Sequence, residues 1–68
     1  MDWKQFIQVM KIDERAARAK YRTAARGARS QAVNDILNKL AYEEEVHLGV
    51  LEDFERDLSK VLAGEKED

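Results

Sequence analysis

The chain contains no cysteine and no proline, only three glycines, and five aromatic residues among its 68. Without cysteine there can be no disulfide and no thiolate zinc site, and nothing signals an oxidising compartment. Without proline the strongest helix breaker is missing. The glycines, at 27, 49 and 64, leave long stretches free to be helical. No apolar run approaches the roughly 20 residues that span a bilayer, and nothing at the N-terminus reads as a signal peptide. A cytoplasmic protein is expected. Charge of one sign is also lacking: the formal net charge is −2, which gives no global attraction to nucleic acid. A chain this short is one small domain at most. It buries a limited fraction of its surface, so it calls for a staple, a metal or a partner subunit.

What the chain does have is helical periodicity. Val33, Leu37, Leu40, Glu44, His47, Leu51, Phe54, Leu58 and Val61 recur at steps of four and three. Such a stripe faces a core. An earlier stripe runs Trp3, Ile7, Met10, Glu14, Ala17, Tyr21, Ala24, Ala28. Asp2 with Gln5 resembles a capping box, which predicts a first helix over about 3–27. Gly27 suits a left-handed helix end and Ser30 an N-cap, so a second helix is predicted over about 31–63. Gly64 then ends it, leaving 64–68 as a disordered tail. A short turn lays two helices antiparallel, so residues 1–63 read as an all-α helical hairpin.

Each stripe is interrupted by ionisable residues: Glu14 in the first, Glu44 and His47 in the second. Residues three apart on a helix project the same way, so Glu44 and His47 can reach one point. Glu14 lies fifteen residues before Arg29, at the turn, and Glu44 fifteen after. At a rise of about 1.5 Å per residue both sit roughly 22 Å from the bend, so the hairpin brings them level. Buried charges cost several kcal/mol each unless compensated, against a total stability of order 5 kcal/mol for a domain of this size. A cation removes that conflict by neutralising the carboxylates and binding the neutral imidazole. Glu14, Glu44 and His47 are therefore predicted metal ligands. The plainer alternatives are a polar cluster without metal, or helices rolled so that the three face water.

One hairpin supplies half a coordination sphere. A two-fold homodimer, or a higher even oligomer, supplies four helices, four glutamates and two histidines. Ile12-Asp13-Glu14, Tyr21-Arg22-Thr23-Ala24 and Leu40-Ala41-Tyr42-Glu43-Glu44-Glu45-Val46-His47 resemble the first half of a rubrerythrin- or bacterioferritin-type domain of the ferritin-like di-iron superfamily. Because the chain carries one half, it is similar to the two-helix encapsulated ferritins. The resemblance implies a ferritin-like four-helix bundle formed by dimerisation, with two iron ions per homodimer. It implies that Glu44 of each subunit bridges both irons while Glu14 and His47 bind the nearer one. It implies a ferroxidase-type di-iron oxidoreductase that oxidises Fe²⁺ with O₂ or peroxide, in iron handling or oxidative stress. In that setting Glu14, Glu44 and His47 are the catalytic set as well. Manganese or zinc would also suit these donors.

Tyr21, seven residues after Glu14 on the same face, reads either as a residue beside the metals or as a core tyrosine. Ala17 stands three after Glu14 and cysteine is absent, which turns the reading from a rubrerythrin-type peroxidase toward a symmetric ferroxidase-like centre. A shell protein enclosing the assembly, within a cytoplasmic compartment, is the corresponding partner. The reading from another class is a non-catalytic helical dimerisation or adaptor module with a polar core cluster. Arginines and lysines decorate the first helix and acids the second, which predicts pairing between neighbouring helices or subunits.

Overall fold

The computed structural model describes residues 1–67, and the side chains of residues 1–64. Three helices account for nearly all of them, and no strand occurs among the described residues. Asp2 opens α1 (Trp3–Gly27) by accepting the Gln5 N–H at 3.0 Å. Ser30 opens α2 (Gln31–Arg56) by accepting the Val33 N–H at 3.4 Å. Both caps match the sequence expectation, and each satisfies an otherwise unpartnered first-turn donor.

Gly27 departs from expectation. No glycine among the described residues has positive φ, so Gly27 is the last helical residue and not a left-handed cap. Ala28 ends α1 by turning extended, with φ −71° and ψ 132°. Its N–H still reaches the Ala25 carbonyl at 3.2 Å, and Asn34 Nδ2 donates to that same carbonyl at 2.8 Å. A side-chain amide from the next helix thus serves a carbonyl that a left-handed glycine would otherwise serve.

The single helix expected over 31–63 is two. α2 stops at Arg56, and α3 spans Leu58–Glu67. Asp57 between them has φ −99° and ψ 14°, in the bridge region. Its N–H reaches the Asp53 carbonyl at 3.0 Å and its own carbonyl accepts from Val61 at 3.0 Å, so the break is one residue wide. An exposed sequential pair with Arg56 accompanies the break. Arg56 Nε and Nη2 donate to the Asp57 carboxylate at 3.2 and 3.1 Å. Neighbours in sequence do not face each other on a regular helix, so that pair favours a local departure. α3 then runs through Gly64 to Glu67, where a tail was expected; Asp68 lies outside the described residues.

α1 and α2 touch in reverse order along their lengths. Asn34 meets Ala25, Glu45 meets Arg22 and Arg18, His47 meets Glu14, and Glu55 meets Lys11 and Gln8. Trp3 closes the far end against Phe54, ring centroids 6.4 Å apart. Among the described residues the buried apolar side chains are few, Ile7, Ala25, Ala41 and Leu48, and Lys11 is buried as well. Both helices are rolled slightly from the predicted stripes. Met10, Ala17, Tyr21, Leu40 and Leu51 are half-buried along one flank. On the other flank Lys11, Arg18 and Arg22 take up Glu55 and Glu45. Small side chains stand at 25 and 41 where the helices pack, and ion pairs cross between the helices on one flank.

The result is a rod of 53 × 17 × 15 Å with a radius of gyration of 15.9 Å. A compact chain of 68 residues would have a radius of roughly 11 Å. Its accessible surface of 5274 Å² exceeds the roughly 4,400 Å² of a compact protein of the same mass. No helix among the described residues is long and apolar enough to cross a membrane.

Candidate metal centre

Glu14 lies near the middle of α1, and Glu44 near the middle of α2. His47 follows Glu44 by three residues and projects alongside it. The order of contacts between the helices brings all three to one level. His47 Nδ1 lies 3.4 Å from Glu14 Oε2 and 3.7 Å from Glu44 Oε2. One donor atom from each residue falls within 4.8 Å of the others, close enough to share a metal ion.

Their surroundings differ from the buried seam that the stripes predict. The side chains of Glu14 and Glu44 are 16% and 18% exposed, but His47 is 58% exposed. The trio sits at the open edge of the α1–α2 seam, carboxylates inward and imidazole outward. The roll described above is the reason, because it turns Glu44 and His47 off the line between the two helix axes. The half-buried flank of Met10, Tyr21, Leu40 and Leu51 surrounds them.

One atom in the group stands out chemically. Glu14 Oε2 is buried and has no hydrogen-bond partner. His47 Nδ1 is near enough for an ion pair, yet not aligned to donate to it. Buried oxygens are rarely left unpartnered, and such a loss costs about 1–3 kcal/mol. Two carboxylate oxygens and an imidazole nitrogen turned toward one small space form a donor set suited to a divalent first-row metal. The residues present therefore fit the implied group. Tyr21 is half-buried on the same flank of α1, two turns from Glu14.

The neighbouring ionic pairs were only partly legible in the sequence. Charge segregation predicts pairing of α1 bases with α2 acids, and Lys11–Glu55 at 3.2 Å and Arg22–Glu45 are such pairs. Which acids take part was not readable, nor that Glu45 would be held by two arginines. Arg15 and Arg29 have no ion pair among the described residues. Comparison with protein-family models, with characterised proteins and with solved structures finds no match to this chain. The described residues form an all-helical protein with a partly exposed Glu–Glu–His group able to hold a metal.

Proposed function

We propose that α1 and α2 form an antiparallel hairpin that pairs with a second copy, and that the paired trios hold two iron ions in a ferroxidase-type di-iron centre. The observation that carries this reading is the buried, unpartnered Glu14 Oε2 set against Glu44 and His47 from the other helix. Glu14, Glu44 and His47 of each chain would be the ligands, and Fe²⁺ the substrate. Two ferrous ions give up one electron each. O₂ takes both electrons with two protons and leaves as hydrogen peroxide, or peroxide takes them with two protons and leaves as two waters. The choice of iron over manganese or zinc rests on the resemblance to ferritin-like domains.

Three features favour the second copy. The roughly 900 Å² of surface beyond that of a compact chain matches one partner's share of a standard interface, roughly 800 Å². The exposed edge that carries His47 is also the apolar flank of Leu40 and Leu51, and it needs a cover. Charge also grades along the rod: around the bend Arg22, Arg26, Arg29 and Lys39 meet only Asp35, whereas at the opposite end Lys4, Lys11, Arg56 and Lys60 nearly balance Asp2, Glu52, Asp53, Glu55 and Asp57. A copy turned end for end, with its two-fold axis through the trio, keeps the two basic ends apart and sets each against a near-neutral one. Because the trio lies midway along both helices, that axis also overlaps them fully.

Anaerobic titration of the full chain with Fe²⁺ is the test. One tightly bound iron per chain is expected, with exposure to O₂ giving ferric absorbance. Glu44→Ala should abolish both. Uptake far from one per chain, or uptake indifferent to Glu44→Ala, would overturn the reading.

A further inference from the structure

The sequence places three glutamates in a row, Glu43, Glu44 and Glu45, at the level of the candidate centre. Successive residues on a helix point about 100° apart. A roll of α2 by about half that angle would change which carboxylate faces Glu14, and a smaller one changes how closely Glu44 approaches it. The structure ties the last of the three, Glu45, to α1. Glu45 Oε1 is bound by Arg22 Nη2 and lies 3.9 Å from Arg18 Nη1, on the flank opposite His47. Arg18 and Arg22 are one helical turn apart, and Arg18 follows Glu14 by one turn. The clamp is thus centred within about two turns of the site, on the same two helices.

We infer that the Arg18–Arg22–Glu45 clamp is the positioning device of the metal centre: it fixes the roll of α2 so that Glu44, and not a neighbouring carboxylate, converges with Glu14 and His47. This rests on the metal-site reading given above. The magnitudes favour it. Side-chain tips lie about 5–6 Å from a helix axis, so a 20° roll moves one by about 2 Å. That is as long as a metal–ligand bond. None of the clamp residues contacts the trio directly; the clamp acts through the backbone between Glu45 and Glu44. All three side chains are between 32% and 49% exposed, and exposed pairs contribute little to stability. Positioning and stability therefore separate in an experiment.

Co²⁺ serves as the probe, because its visible spectrum reports ligand geometry apart from any activity. The full chain, Glu45→Gln and Glu55→Gln are titrated with Co²⁺ while thermal unfolding of the metal-free proteins is followed. Glu55→Gln removes a comparable cross-helix pair, to Lys11 at 3.2 Å, further from the site. Supporting groups around metal ligands typically contribute 10–100-fold in affinity. The clamp acts at one remove through exposed pairs and is worth less than that, so Glu45→Gln should weaken Co²⁺ binding by about threefold to fivefold and change its spectrum, with Glu55→Gln close to the parent. The charge-swapped Arg18→Glu, Arg22→Glu, Glu45→Arg chain should recover most of the affinity. Equal binding by Glu45→Gln and the parent overturns the inference, as does equal weakening by Glu45→Gln and Glu55→Gln. A parent chain that binds no Co²⁺, or binds it unchanged in His47→Ala, overturns instead the metal-site reading beneath it.

Discussion

Glu14 carries the strongest tension in the molecule. Its Oε2 is buried without a partner, while its sequence neighbours Asp13 and Arg15 are exposed. A metal resolves that tension; so does loss of the charge. Glu14→Gln should therefore leave the metal-free chain as stable as the parent, or more stable by up to about 1 kcal/mol. It should also lose the rise in melting temperature that added metal gives the parent. Calorimetry with and without metal checks both halves, and a destabilised metal-free Glu14→Gln would show that the carboxylate is already satisfied. The trio itself was readable from the sequence, because stripe interruptions and distance from the bend depend only on helix periodicity. The exposure of His47 was not. It depends on how far each helix rolls about its axis, which periodicity does not encode.

Among the elements, α1 followed the sequence closely because its cap, its unbroken apolar spacing and its termination near Gly27 all agree. The second helix did not, because nothing in the apolar stripe from Val33 to Val61 marks a break at Asp57. The break coincides with a sequential Arg56–Asp57 pair, which stripe reading passes over. Its electrostatics give a pH prediction. The hydrogen bond from Arg56 holds the Asp57 carboxyl below its ordinary value, against a smaller opposing effect of burial. Those partners in turn raise the Arg56 guanidinium, chiefly through Asp57. A depressed carboxylate contributes stability above its unfolded-state value and loses it as pH falls through the folded-state value. The α2–α3 junction should therefore be intact at neutral pH and loosen only in acid below about pH 4. In Asp57→Asn that acid-dependent part of the change should vanish, as read by the difference in circular dichroism between the two chains. An identical acid response in both would remove the pair as the cause of the break.

For the whole molecule the governing fact is that, among the described residues, only Ile7, Ala25, Ala41 and Leu48 are buried apolar side chains while the rod keeps an apolar flank half open. If a second copy covers that flank, Leu40→Lys and Leu51→Lys should each lower the native mass to that of a single chain and reduce helicity. Val46→Lys, on the far side of α2 where the parent residue is already 47% exposed, should leave the mass unchanged. Native mass spectrometry or sedimentation at micromolar concentration decides. A parent chain that already runs as one copy would leave the open flank without the proposed cover. The midway placement of Glu14 and Glu44 has a consequence for length. A heptad inserted into each helix on the bend side of the trio would extend the rod by about 10.5 Å and leave the ligands level with one another. One residue deleted between Glu14 and the bend would swing that carboxylate by about 100° and drop it out of register. Such a scaffold tolerates growth in matched pairs and rejects a single unpaired step.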